Sequence, residues 1–195
     1  MSARSLILRW TMAVLFCACR AAGAQELSIE TPDSSGAITV SASADMRVQP
    51  ATAWSVISDY DHLADFLPNM RSSRVVQRNG DQLVLEQTGV FGFLFFQQPI
   101  RVRLAVTELP PRRIVAHAVG GNLKQMDGSY TLETLPDGRV RLSYAGRLVP
   151  DFAIPPVVGK LVVRKILARQ FSAMVDEILR REARAAPQRP QAQTQ

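Results

Sequence analysis

Two hydrophobic rhythms divide the chain. From Ile38 to Leu148 apolar residues tend to recur at every second position, the period of strands buried on one face. From Leu167 to Leu179 they recur at every third or fourth position. Leu167, Ala168, Phe171, Met174, Val175, Ile178 and Leu179 form one stripe, and Arg169, Gln170, Asp176, Glu177, Arg180 and Arg181 fall on the other side. The second rhythm predicts a long helix from Pro155 to about Ala183, with prolines suited to its first turn. The first rhythm predicts a strand at Ile38–Met46 and, after a short helix opened by Pro50 and a helical turn from Leu63 to Leu67, a run of hairpins. Ser72–Gln77 and Gln82–Thr88 flank Asn79-Gly80, which predicts a type I′ turn. Arg101–Val106 turns Val102, Leu104 and Val106 inward. Ile114–Val119 follows Pro110-Pro111, and Tyr130–Thr134 and Val140–Leu148 flank Pro136-Asp137-Gly138.

A helix with a single apolar stripe must bury it, and the partner on offer is the apolar face of the sheet. The expected fold is therefore α+β: a curved antiparallel sheet of about six to seven strands wrapped round the long C-terminal helix, with two short helices after the first strand. One helix does not fill the concave side of a long bent sheet, so a cavity between them is expected.

The ends of the chain read differently. Arg4 and Arg9 precede a short apolar run from Trp10 to Cys19, and Ala22-Gly23-Ala24 follows. That is the plan of a cleaved signal peptide over residues 1–24, the run being well short of the ~20 residues a membrane span needs. Export is expected, to the periplasm or beyond. Cleavage removes both cysteines, Cys17 and Cys19, and with them any disulfide or thiol chemistry. It also removes three arginines and no acid, which lowers the formal charge from +6 to +3. That mild excess, with no basic-aromatic motif, gives no reason to expect nucleic-acid binding. Residues 25–36 read as a flexible leader, 37–184 as the domain, and 185–195 as a disordered tail without apolar periodicity.

ATAWSVISDYDHLADFLPNMRSSRV, with Ala53, Trp54, Val56, Asp59, Tyr60, Phe66, Pro68 and Ser73 as its marked positions, resembles the START-like (SRPBCC) superfamily, in particular its polyketide cyclase/dehydrase and coenzyme-Q-binding branch. VTELPPRRI and GSYTLETLPDGRVRLSY are similar to that family's later strands, and the resemblance extends from about Ala37 to Ala183. It implies a helix-grip fold whose hydrophobic tunnel, between sheet and long helix, carries lipids, quinones or polycyclic aromatics. It does not by itself imply chemistry.

The residues expected to line such a cavity are Phe66, Phe91, Phe93, Leu104, His117, Tyr130, Tyr144, Phe171 and Met174, with His117, Tyr130 and Tyr144 orienting a polar part of the ligand. His117 shares a strand face with Val115 and Val119 and reads as a cavity-wall histidine; were the protein a cyclase or dehydratase, His117 or Tyr144 would be its acid or base. Asp59 and Asp61 read as helix-capping carboxylates, His62 as solvated, and Glu86 and Glu133 as partners of outward arginines. The histidines are far apart, so no metal site and no cofactor are expected, and no catalytic motif of the common hydrolases or nucleotide-binding enzymes occurs. Val90–Phe96 holds four phenylalanines, and the start of the long helix sets Val158 and Val162 among Lys160, Arg164 and Lys165. Phe95, Phe152, Val158, Lys160 and Val162 are thus expected to form a membrane-docking rim at the cavity mouth.

Overall fold

A computed structural model of the protein describes residues 25–30, 37–93, 96–151 and 156–186; for 25–30, Phe93, Phe96 and 156–163 it gives the course of the backbone alone. The expected signal peptide, the tail after residue 186, Phe95 and Phe152 lie outside the described residues.

The elements are β1 (Gln25–Glu30), β2 (Ile38–Met46), α1 (Pro50–Ile57), a 3-10 turn (Tyr60–His62), α2 (Leu63–Phe66), β3 (Met70–Asn79), β4 (Gln82–Phe93), β5 (Phe96–Leu109), β6 (Arg113–Gly121), β7 (Leu123–Thr134), β8 (Val140–Pro150) and α3 (Pro156–Ala185). All strands are antiparallel neighbours in one sheet, ordered β1-β2-β8-β7-β6-β5-β4-β3. Strands β2–β8 are the expected seven-strand curved sheet, and with α3 and the two short helices they make the helix-grip fold. The two short helices carry the chain from β2 to the far edge, from which the meander returns to pair β8 with β2.

Three local expectations are corrected. Residues 25–30, read as a flexible leader, form an eighth strand paired to β2 from Gln25↔Ala44 to Glu30↔Thr39; Leu27 and Ile29 alternate with polar residues there, and β2 would otherwise leave a row of edge groups unpaired. The β3–β4 turn centres on Gly80 and Asp81, not on Asn79-Gly80, because Asn79 pairs with Gln82. Gly80 alone of the two has a positive φ (58°), the pattern of a type II′ turn with glycine first. Strand β7 begins at Leu123, well before Tyr130: the polar run Lys124-Gln125 hides it in sequence, and a register shift at Leu123/Gln125 breaks the alternation.

The corner between β6 and β7 is built on Gly121 and Asn122. Gly121 has φ +117°, and a Cβ there would stand 2.1 Å from the Arg101 carbonyl oxygen, so only glycine fits. Asn122 then ties the corner to β5: its Oδ1 accepts the Arg101 N–H at 2.8 Å and its Nδ2 donates to the Pro99 carbonyl at 2.7 Å.

The concave face supplies the core, in which Leu142, Met174, Ile178, Val56 and Val140 are the largest fully buried side chains. Helix α3 turns Phe171, Met174, Val175 and Ile178 onto it. Glu177, expected on the polar side, is buried as well (4 % exposed). Its carboxylate accepts hydrogen bonds from Arg180 Nε (2.6 Å) and Arg181 Nε (2.7 Å), and Arg181 Nη2 continues to Asp59 Oδ2 at 2.8 Å. Asp59 also meets His62 Nδ1 at 2.6 Å. This chain of charges fastens the end of α3 to the loop before α2. Asp59 therefore joins elements instead of capping a helix, and Asp61 does not cap one either: its Oδ1 accepts the Val75 N–H at 2.8 Å, beside the β3 irregularity at Val75/Gln77.

Candidate functional site: a two-chambered cavity

The register explains why the core is hollow. Across the concave face, Val40 pairs with Gly146, Gly146 with Gly128, Gly128 with Ala116 and Ala116 with Val106. Three consecutive strands thus contribute glycine, glycine and alanine to one row, where side chains would otherwise meet α3. The next row carries Tyr144 and Tyr130, which face each other across β7 and β8 with ring centroids 4.8 Å apart and planes tilted by 45°. Tyr144 leans over the glycines. A Cβ on Gly146 would lie 2.5 Å from its hydroxyl oxygen, and one on Gly128 3.2 Å.

The space left is an inner chamber of about 150 Å³, bounded by this floor, by Ile57, Tyr60, Leu63 and Leu67 from the short helices, and by Phe171 and Met174 from α3. An outer chamber of about 180 Å³ lies between the β4–β5 arm (Val90, Phe91, Ile100), Leu148 and Pro150 of β8, and Ile166 and Leu167 of α3. Met70, Gln87, Met126, Leu167 and Gln170 border both chambers, so the two adjoin at these side chains. Together they reach the lower end of the ~300–1,000 Å³ typical of small-ligand pockets.

Among the described residues the lining carries no Asp, Glu, Lys, Arg or His. Its polar side chains are few. Tyr130 and Tyr144 are half-buried by surface yet lie deep in the fold, so the surface they show is the cavity's own. Burial pushes both phenols well above the usual tyrosine range; for Tyr130 the neighbouring Tyr144 adds to it. Tyr60 contributes its ring to the wall. Its own hydroxyl is buried and faces the Glu108 carboxylate without a well-formed hydrogen bond among the described residues; burial first, and that carboxylate second, raise its pKa strongly. Glu108, itself 8 % exposed, is paired with Arg78 at 3.2 Å. Gln87 donates to Ser73 Oγ at 3.1 Å and Gln170 to the Pro68 carbonyl at 3.4 Å.

Of the residues expected to line a cavity, Leu104, Tyr130, Tyr144, Phe171 and Met174 border the inner chamber and Phe91 the outer one. Phe66 does not. In the single turn of α2, Leu63 and Leu67 stand one above the other and take the cavity side, leaving Phe66 half-buried against the core on the flank. His117 is misplaced more seriously: it is on the convex face, its side chain 60 % exposed, with Nδ1 2.6 Å from Asp127 Oδ1. Strand β6 has small or aliphatic residues at both parities, so alternation could not separate its faces, and Ile114 and Ala116 are the ones that look inward. Glu86 meets Arg103 at 3.1 Å on the outer surface. The side chain of Phe93 and those of Val158, Lys160 and Val162 lie outside the described residues, as do Phe95 and Phe152 entirely. Gln87, Met126 and Gln170 escaped sequence reasoning. The glutamines are polar residues on otherwise apolar inward faces, a signal visible only once register is known.

A sequence profile described as "Polyketide cyclase / dehydrase and lipid transport" matches residues 46–175. The chain belongs to this family. Its fold is shared with solved structures at low identity. The STAR-related lipid transfer protein from Xanthomonas axonopodis aligns with TM-score 0.64 and 11 % identity over 80 % of this chain and 93 % of that one. The Zhui aromatase/cyclase from Streptomyces sp. R1128 aligns with TM-score 0.63 and 15 % identity over 77 % and 96 %. A START superfamily protein from Mycobacterium smegmatis gives TM-score 0.57 and 15 % identity over 75 % and 97 %. No curated protein matches the sequence. At these identities the likeness concerns the fold, and within it the family's members include both lipid carriers and cyclases, so the cavity's own chemistry has to decide between them.

Proposed function

We propose that this chain, exported and freed of its signal peptide, binds a hydrophobic small molecule (a lipid, quinone or polycyclic aromatic) in the two-chambered cavity and carries or presents it near a membrane. The observation that carries the reading is a pair of adjoining apolar chambers between sheet and α3 with no charged side chain among the described residues of their lining. Such a space excludes ions and rewards apolar surface at ~25 cal/mol per Å². The lipid transfer protein from Xanthomonas axonopodis shares the fold and lends the reading support. Native mass spectrometry of the protein purified from a periplasm tests it. A stoichiometric organic adduct that extraction identifies as a lipid or quinone is the expected result; a folded protein that takes up no hydrophobic compound and shows no thermal shift with any would sink the idea.

Membrane presentation is the finer part of the proposal. Phe91, Pro150 and Ile166, neighbours in sequence of the rim expected at Phe95, Phe152, Val158, Lys160 and Val162, line the outer chamber. In this reading the ligand enters and leaves past these residues, beside the rim. Anionic liposomes should retain the wild type better than the folded Phe93→Asp/Val162→Asp variant. Equal retention would remove the rim.

A cyclase or dehydratase acting on a polyketide-like substrate is the second reading, favoured by two cavity tyrosines whose hydroxyls have no partner among the described residues and by the fold of the Zhui aromatase/cyclase. In that case Tyr144→Phe abolishes turnover and spares affinity. Carriage is preferred because phenols pushed further from neutrality are poorly matched to proton transfer near pH 7, and His117 does not reach the cavity.

A further inference from the structure

We propose that the ligand is an uncharged molecule carrying a hydrogen-bond-accepting oxygen near the middle of its length, with apolar parts on both sides. This rests on the reading of the cavity as a ligand site and sharpens it. Three polar side chains, Gln87, Gln170 and Tyr144, gather at the waist of the cavity. Gln87 and Gln170 border both chambers. Each amide nitrogen has one bond, to Ser73 Oγ or the Pro68 carbonyl, which leaves a second N–H on each and both Oε1 atoms without a partner among the described residues. The Tyr144 hydroxyl lies over Gly146 and Gly128, in the row next to the pair Met126↔Leu148, whose side chains belong to the outer chamber. It too has no hydrogen bond among the described residues.

The two ends are different. The inner end is bounded by Ile57, Leu63, Val106 and Ile114, and the outer chamber is flanked by Phe91 and Ile166, all of them apolar. Asn69 and Thr88 lie at one margin of the outer chamber, where the Thr88 hydroxyl is already held by Ser72 at 2.6 Å. An oxygen against Phe91 and Ile166 would meet no side-chain donor among the described residues, and one at the inner end at most the Tyr130 hydroxyl, since the Tyr60 hydroxyl faces Glu108; an oxygen at the waist meets up to three donors that lack partners among the described residues. A carboxylate or phosphate would find no cation among the described residues of the lining.

Two ketones of identical composition separate these cases: dihexyl ketone, with its carbonyl central, and methyl undecyl ketone, with its carbonyl terminal. Tridecane and tridecanoate complete the set, each measured by displacement of an apolar fluorescent dye from the delipidated protein. Dihexyl ketone should compete at about one-tenth the concentration of its isomer or of tridecane, with tridecanoate weakest. Tyr144→Phe/Gln170→Met, verified as folded by thermal unfolding, should bring the two isomers to within about twofold, with tridecane competing at least as well as before. The single Tyr144→Phe variant, which keeps the ring, should show a partial loss of the preference. Isomers of equal affinity in the wild type, a preference that survives in the double variant, or tridecanoate as the strongest competitor would each overturn the proposal. If tridecane binds but the isomers do not differ, only this proposal falls; if nothing binds a folded protein, the ligand-binding reading falls with it.

Discussion

Gly146 has no room for a methyl group, since the Tyr144 hydroxyl already occupies the place at 2.5 Å and ring carbons follow at 2.8 and 3.0 Å. Gly146→Ala should therefore destabilise by about 1–3 kcal/mol, as overpacking does, and the cost should shrink in a Tyr144→Leu background; a double-mutant cycle by denaturant unfolding measures the coupling. Charge at single residues sets a second expectation. The pKa values of Asp59 and Glu177 are depressed, because burial, which opposes this, is outweighed by the bonds from His62 and Arg181 and from Arg180 and Arg181 respectively. Their contribution is present above the ordinary values of 3.8 and 4.5 and is lost as pH falls through the depressed ones, so acid should loosen α3 from the short helices. His62 runs the other way. Its hydrogen bond to Asp59 raises its pKa above 6.5, so its contribution is complete below that value and fades as pH rises through the raised one. His62→Gln should lower the melting temperature at about pH 5 and leave it unchanged at about pH 9.

At the scale of elements, α3 does two jobs with adjacent turns. Ile178 is fully buried and borders neither chamber, while Phe171 is buried and borders the inner one. Ile178→Ala should cost about 2–5 kcal/mol without changing what the cavity accepts. Phe171→Ala should cost a similar amount, about 3–5 kcal/mol, and also admit bulkier ligands; a thermal-shift series of increasing ligand size distinguishes the two. The helix itself was legible in sequence because a 3.6-residue stripe has one solution, and so were strands such as β2 and β8 whose alternation is clean. Strand β6 was not, because aliphatic and small residues occupy both of its faces and the deciding information, the pairing of Ala116 with Gly128, belongs to another strand. Glu177 was misread for a related reason: a carboxylate can be buried only if it brings its own cations, and those are Arg180 and Arg181 one turn later, an i to i+3 and i+4 pattern that also describes an exposed helix face. The cavity was foreseen from the mismatch of one helix with a long sheet. Its floor was not, since Gly128 and Gly146 become neighbours only through register.

The whole molecule is an incomplete core. Sheet and short helices are packed against α3 from Phe171 to Ile178, and beside that contact the row Gly146, Gly128, Ala116 leaves out side chains that a fully packed domain would have. Such a chain loses more volume on unfolding than a solid one of the same length would, because unfolding abolishes the void. Hydrostatic pressure should then read out occupancy directly: the empty protein should unfold at markedly lower pressure than the same protein saturated with an apolar compound, and the ligand-induced gain should be smaller in a variant whose cavity is filled by larger side chains. Seen this way, the bound molecule is a piece of the protein's interior supplied from outside.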